Sequence, residues 1–169
     1  MSDSIKGQLI VAVTAVVSGA LGLVGGLLIE HLRTLRDRAG RIEQRQDQKD
    51  EFQRQTLLEI QEAVARYGRL VGRVNYHDSI AFKETGTWMG TQVGHELSED
   101  LLAARVRLQL LQERARDDEL RKLVTVFSNR GSLVTIASSK EEATLRMDDL
   151  IESLTKVQER LGTVLRTFM

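Results

Sequence analysis

The feature that most constrains this chain is a run of 23 uncharged residues from Gly7 to Ile29. As an α-helix such a run extends about 34 Å, and the hydrocarbon core of a bilayer is about 30 Å thick. A helix of this length in a water-soluble core would normally carry a polar face, whereas this run offers only Gln8, Thr14 and Ser18. The sequence therefore predicts a transmembrane helix over residues 7–29, after a short extracytoplasmic segment over residues 1–6.

A cleaved signal peptide is the alternative interpretation of this run. Ser18-Gly19-Ala20 offers the small residues of a cleavage site after an apolar stretch of suitable length. Against it, the apolar stretch continues for nine more residues, and the preceding segment carries one aspartate as well as one lysine. Cleavage there would also leave an exposed apolar tail, so we favour the transmembrane helix.

The basic residues that flank the run predict its orientation. Lys6 is the only basic side chain before it, whereas five arginines follow it closely: Arg33, Arg36, Arg38, Arg41 and Arg45. Because positive residues stay on the cytoplasmic side, we expect a single-pass protein of the inner membrane with its N-terminus outside and residues 30–169 in the cytoplasm. These arginines could also contact anionic lipid headgroups, or they could form an ordinary solvated helix face.

Small residues recur at every fourth position of the predicted span, at Thr14, Ser18, Gly22 and Gly26. Such spacing lets two helix backbones approach closely in lipid, where no hydrophobic force draws helices together. We therefore treat these four residues as a candidate self-association face. Glycine is common in membrane helices in any case, so the alternative is that the pattern has no role in pairing.

Apolar residues beyond the span follow the spacing of a helix that faces a partner. The segment 43–51, "EQRQDQKDE", interrupts this pattern because it contains no apolar residue, and we interpret residues 30–51 as a basic, then polar, helical stalk. The pattern resumes over residues 52–74, so one helix is expected to run to about Asn75. Its apolar positions are Phe52, Leu57, Ile60, Val64, Tyr67, Val71 and Val74.

The segment 77–95 is the least regular part of the chain. Gly86, Gly90 and Gly94 fit either a close helix crossing or a connecting loop anchored by Trp88, and both interpretations stay open. A heptad follows from Glu96, with apolar positions Leu97, Leu101, Ala104, Leu108 and Leu111.

Two further helices are expected before the C-terminus. Asp117 or Asp118 can cap a short helix that buries Leu120, Leu123, Val124 and Phe127, with a turn at 129–131. The segment 132–138, "SLVTIAS", has strand propensity but no evident partner strand. Ser139 and Glu142 match a capping box at the start of a long final helix.

Together these patterns predict an all-α protein. A transmembrane helix continues into a stalk and then into an antiparallel helical bundle over residues 52–169, built from three long helices and one short one.

The apolar N-terminal segment, the arginine-rich helix, the stretch "ARVRLQLLQERARDDELRKLV" and the long last helix resemble a loose group of uncharacterised single-pass bacterial membrane proteins. The resemblance covers most of the chain and implies the same architecture. Its motifs are structural, so it implies no catalytic residue, cofactor or activity.

The sequence offers little for chemistry. There is no cysteine, which excludes disulfides and thiolate sites. The pairs His77-Asp78 and His95-Glu96 could each supply one metal ligand, but neither has the Glu-x-x-His spacing of a metal-binding bundle. No nucleophile elbow or phosphate-binding loop occurs. We therefore expect no enzyme activity, no metal and no cofactor.

Residues 30–169 carry 23 acidic and 23 basic residues, so no large basic field exists for nucleic acid. The expected partners are the bilayer, other copies of the chain and a protein partner. The first functional hypothesis is a membrane-anchored interaction or scaffold protein whose cytoplasmic bundle self-associates or docks a partner. The alternatives are an oligomeric membrane-perturbing effector of the toxin or host-defence type, and a signal-relay component.

Overall fold

The computed structural model describes the backbone of residues 3–89 and 93–168, and the side chains of residues 40, 41, 43–89 and 93–168. The described residues form an all-α protein without a strand, which confirms the predicted fold class. The elements are α1 (Asp3–Thr85), α2 (His95–Gln112), α3 (Asp118–Thr135), α4 (Lys140–Leu165) and a final 3₁₀ turn (Arg166–Phe168).

The predicted transmembrane run 7–29 lies in the first part of α1, and its side chains are outside the described residues. Among the helices whose side chains are described, none contains a stretch long and apolar enough to cross a bilayer. Helix α1 continues beyond the predicted end near Asn75, through Thr85. The chain divides into two compact units, Met1–Gln48 and Lys49–Met169. In the first unit, side chains 43–48 are exposed.

The second unit is a helical bundle with one apolar core. From α1, the predicted apolar positions from Leu57 to Val74 are buried, whereas Phe52 is 54% exposed. Gln53 takes the buried position instead, because its side-chain amide forms two hydrogen bonds with the segment that joins α2 and α3. The core seam of α1 therefore begins later than its apolar pattern predicts.

Polar contacts between the helices define the bundle's topology. Helix α2 is antiparallel to α1, because Arg66 contacts Asp100 near the start of α2 and Glu59 contacts Arg107 further along it. Helix α4 is antiparallel to α3: Arg146 bonds the Leu133 carbonyl, while Arg160 bonds Asp117. Helix α1 runs in the same direction as α3, because Gln53 bonds the segment before α3 and Tyr67, further along α1, bonds Ser128 within α3. Consecutive helices thus alternate in direction, as the sequence predicts.

The predicted turn at 129–131 is wrong, and the segment 132–138, which has strand propensity, forms no strand. Residues 118–135 form one helix, α3, of 18 residues, so it is no shorter than α2. Gly131 is buried within α3 against α1, where its missing side chain permits close packing rather than a turn. The β-branched residues of 132–136 lie at the C-terminal end of α3, where packing against the other helices outweighs their preference for a strand.

Side chains set the helix starts as predicted. Asp117 caps α3 by accepting a hydrogen bond from the Leu120 amide at 2.7 Å. Ser139 caps α4 by accepting one from the Glu142 amide at 3.1 Å. The Glu142 carboxylate accepts the amide and hydroxyl of Ser138, so the reciprocal bond of the capping box is made one residue earlier than usual.

The described residues between α1 and α2 form a connecting loop. Gly86 ends α1 with a φ of +70°, a conformation that favours glycine. The Trp88 indole N–H donates to the Ala137 carbonyl at 2.9 Å, and its ring packs edge-on against Phe82. Of the two open interpretations, the loop anchored by Trp88 is therefore correct for residues 86–89 and 93–94.

Candidate interaction surfaces

Most of the predicted site residues lie outside the described side chains. This holds for the candidate self-association face, Thr14, Ser18, Gly22 and Gly26, and for Arg33, Arg36 and Arg38. Arg41 and Arg45 are described, and both are exposed on α1. Their roles in membrane pairing and topology stay predictions.

Each of the two histidines of the predicted pairs lies near one carboxylate that is close to it in sequence. His77 Nδ1 lies 3.6 Å from Asp78 Oδ1, and His95 Nε2 lies 3.5 Å from Glu99 rather than beside Glu96. Asp78 is almost fully buried. Within the described residues, no group of three or more side chains is arranged to bind a metal ion.

Helices α1 and α3 approach each other closely in the core at Tyr67. Tyr67 of α1 packs edge-on against Phe127 of α3, with ring centroids 5.8 Å apart. A Cβ atom built on Gly131 would lie 2.5 Å from the Tyr67 ring, so no other residue fits there without displacement. The Tyr67 hydroxyl donates to the Ser128 carbonyl at 3.1 Å, which satisfies this buried polar group.

Gln53 joins α1 to the segment between α2 and α3. Its Nε2 donates to the Arg114 carbonyl and its Oε1 accepts from the Arg116 amide, both at 2.9 Å. Both ends of the amide are therefore satisfied in a buried site. Sequence reasoning missed this residue because a glutamine beside an apolar seam is usually solvated.

The contact between α3 and α4 includes an ion pair at one end. Arg160 donates to Asp117 through Nε at 2.9 Å and through Nη2 at 2.5 Å, a bidentate arrangement. These bonds, with the Leu120 amide, hold the pKa of Asp117 below its usual value. The Asp117 carboxylate therefore caps the start of α3 and also holds α4 in place through Arg160.

A shallow groove of about 640 Å³ runs along the outer side of α1, bordered by the first turn of α2. We call it the basic groove. It is lined by Arg69, Gly72, Arg73, Tyr76, His77, Ile80 and Leu97. A Cβ atom on Gly72 would meet nothing within 4 Å, so this glycine widens the groove. The lining combines an apolar floor with two guanidinium groups at one end.

The positive charge of the basic groove is not neutralised within the described bundle. Arg69 and Arg73 are exposed, and neither has an ion pair among the described residues. The neighbouring Arg66 differs, because its Nη2 lies 3.3 Å from the Asp100 carboxylate. Tyr76 is 68% exposed beside these arginines. The groove thus presents cationic and aromatic groups to solvent side by side.

Helix α4 carries a surface of opposite charge, which we call the acidic face and define by Leu145, Asp148 and Asp149. Leu145 is 68% exposed, and both aspartates are exposed without an ion pair among the described residues. Residues 145 and 148 lie on the helix surface opposite the buried Ala143 and Leu150. The acidic face therefore points away from the core of the bundle.

A third outward surface consists of apolar residues on α2. Leu102, Val106 and Leu110 recur at every fourth position, and Leu102 and Leu110 are each 62% exposed. The opposite side of α2 buries Ala104 and Leu108 in the core. The predicted heptad of α2 is therefore confirmed as its core side, and the helix carries a second apolar side that faces outward.

The chain matches no family model, no curated protein and no solved structure. The interaction surfaces are therefore interpreted from their own geometry. Sequence reasoning did not identify the basic groove or the acidic face. The sequence did contain a sign of both surfaces. In each, charged residues lie three or four positions from an apolar residue that does not belong to the buried positions of its helix.

Proposed function

We propose that this protein is a membrane-anchored, non-enzymatic interaction protein. Residues 7–29 form a transmembrane helix with the N-terminus outside, and the bundle lies on the cytoplasmic side of the inner membrane. The bundle associates with other copies or docks a protein partner. No cofactor is required for this role.

The membrane part of the proposal is supported by the 23 uncharged residues and the arginines that follow them. The small residues from Thr14 to Gly26 would let neighbouring spans pack closely. Arg41 and Arg45, which are exposed on α1, would lie near the headgroups together with the three preceding arginines.

The observation that carries the interaction role is the number of large apolar side chains on the outside of the bundle. Tyr76, Leu102, Leu110 and Leu145 are each more than 60% exposed, on three different helices. Contiguous apolar groups on an outer surface commonly mark sites of association, whereas isolated ones do not. The exposed apolar residues of α2 form one continuous row, and those that line the basic groove are also adjacent to one another. Both surfaces are therefore candidates for association.

Membrane fractionation tests the anchor. The full-length protein is expected to stay with membranes after carbonate washing and to require detergent for release. A protease added to the outside of spheroplasts is expected to leave the bundle intact. Release by carbonate, or digestion of the bundle from outside, would contradict the anchor or its orientation.

Cross-linking in membranes tests association through the span. We expect Gly22→Leu with Gly26→Leu to reduce cross-linked oligomers, because the larger side chains separate the helix backbones. Gly25→Leu, compared with Gly26→Leu alone, is the matched control, since each adds one leucine side chain and Gly25 lies outside the four-residue spacing. Equal loss from both changes would show that spacing at Gly22 and Gly26 has no special role.

A further inference from the structure

We propose that the basic groove of one copy binds the acidic face of a second copy, in a repeating head-to-tail contact. This inference rests on the proposed function, because it names the partner and the surfaces of self-association. The groove supplies Arg69, Arg73 and Tyr76, and the second copy supplies Leu145, Asp148 and Asp149.

Charge is the first reason for this assignment. The groove carries two exposed arginines that form no ion pair within the described bundle. The acidic face carries two exposed aspartates that also form none there. At the far end of the groove, Lys83 is followed directly by Glu84, so the net positive charge is concentrated at the arginines. Complementary charges of this kind select the partner and its orientation.

The order of charged and apolar residues along the two helices is the second reason. On α1, Arg73 precedes Tyr76 by three residues, and on α4, Leu145 precedes Asp148 by three residues. When the two helices are antiparallel, Tyr76 faces Leu145 and Arg73 faces Asp148. Arg69, one turn further along α1, then lies level with Glu152, and Asp149 lies between the levels of Arg73 and Arg69. A parallel arrangement would instead place charged groups against apolar ones.

The bundle's own topology supplies the antiparallel orientation. Helix α1 runs in the same direction as α3, and α4 runs opposite to α3. Two copies that stand side by side with their bundles pointing the same way therefore bring α1 of one against an antiparallel α4 of the other. Copies related by a rotation axis parallel to the bundle axis share such a direction.

The two surfaces also lie at the same level of the bundle. The Lys140 ammonium at the start of α4 lies 5.8 Å from the Phe82 ring, beyond the groove. At the other end, Tyr67 bonds Ser128 of α3, and Arg130, two residues on, bonds the Asp149 carbonyl. Neighbouring copies can therefore pair without a shift along the bundle axis. A head-to-tail contact of this type builds a ring when its rotation closes and an open filament when it does not.

The row on α2 is a weaker candidate for the same role. Leu102, Val106 and Leu110 are flanked by Arg107 on one side and by Glu99 and Glu113 at the ends. If the row paired antiparallel with itself about Val106, Glu99 of one copy would face Glu113 of the other, and like charges oppose association. Nothing else in the described residues indicates what covers it.

Cysteine cross-linking tests the contact directly, because the chain contains no cysteine. Full-length Tyr76→Cys and Leu145→Cys proteins, both altered at exposed positions, are mixed in detergent micelles and oxidised. We expect a disulfide-linked dimer from the mixture and none from either variant alone. A chain that carries both changes is expected to give a ladder of larger species. Tyr76→Cys mixed with Leu110→Cys, which lies on α2, is the control and is expected to stay uncross-linked.

Charge reversal sharpens this test. Adding Arg73→Glu to the Tyr76→Cys chain is expected to lower the cross-linking yield by about tenfold or more, because like charges then meet. Adding Asp148→Arg to the Leu145→Cys chain is expected to restore the yield. Lys122→Glu, a reversal at an exposed position of α3, is expected to leave it unchanged.

The outcomes separate this inference from the proposed function. Oligomers that form without the Tyr76–Leu145 cross-link would overturn the head-to-tail contact and leave self-association in place. Cross-linking of Tyr76→Cys alone would mean a symmetric contact and would also overturn the inference. A protein that is monomeric by mass in every detergent would overturn this inference and self-association, and would leave docking of a protein partner as the proposed role.

Discussion

The contacts that α3 makes with α1 and with α4 are stabilised in different ways. Against α1, α3 presents Phe127 and Gly131, which are buried and pack directly on the Tyr67 ring. Against α4, its polar contacts lie at the rim, where Asp117 and Arg130 bond partly exposed groups. The first contact depends on shape and the second partly on charge. Substitutions at the two contacts should therefore differ in size and in their dependence on pH.

The largest expected effect comes from Phe127→Ala. Phe127 is fully buried between the helices, so truncation leaves a cavity against Tyr67. We expect a loss of about 3–5 kcal/mol in the free energy of unfolding, measured by denaturant titration. Val126→Ala, at the neighbouring exposed position, is the control and should cost less than about 1 kcal/mol. Similar losses from both would mean that α3 does not present this side to α1.

Gly131→Ala should have the next largest effect. The added methyl group would lie 2.5 Å from Tyr67 Cε1, so the ring or the helix must shift. We expect a loss of about 1–3 kcal/mol in unfolding free energy, by the same titration. Gly72→Ala is the matched control, because its methyl group meets nothing within 4 Å and helix propensity favours alanine by about 0.5–1 kcal/mol. Opposite signs for the two changes would confirm that the close approach, not glycine itself, decides the result.

The same glycine explains where prediction from sequence failed. Asn129-Arg130-Gly131 has the composition of a turn, and only the partner helix reveals that Gly131 is required for packing inside α3. The caps at Asp117 and Ser139 were predictable because capping is local and depends on side chains within three residues. The buried role of Gln53 was not, because its partners are about 60 residues away.

The interaction surfaces show the same limit. The apolar periodicity of α1 predicted Tyr67 and Val71 as core positions, and both are buried. The basic groove depends on which arginines lack a partner, and the sequence alone does not distinguish Arg66, which pairs with Asp100, from Arg69 and Arg73. Pairing between helices is a property of the tertiary structure.

Tyr67→Phe tests the polar part of the contact between α1 and α3. It removes the hydroxyl that donates to Ser128 but keeps the ring against Phe127. We expect a loss of about 1 kcal/mol, because the Ser128 carbonyl still accepts a bond from Ser132. Thermal unfolding followed by circular dichroism measures the change. A loss as large as that of Phe127→Ala would mean that the hydrogen bond, rather than shape, dominates this contact.

Asp117→Asn addresses the contact between α3 and α4, and its effect should depend on pH. Arg160 and the Leu120 amide lower the pKa of Asp117 in the folded protein, so the charged carboxylate stabilises the fold above its unfolded pKa, near 3.8. That stabilisation is lost as the pH falls through the lower, folded pKa. Asparagine still caps a helix but cannot form the ion pair, so we expect a loss of about 0.5–1 kcal/mol at pH 7. At a pH below the folded pKa of Asp117, the two proteins should approach equal stability.

Denaturant titrations at pH 7 and in the acid range measure this pH dependence. Tyr67→Phe is the comparison, because its loss of stability should be the same at both pH values. An equal loss for Asp117→Asn at both pH values would mean that the carboxylate stabilises the contact by hydrogen bonding alone.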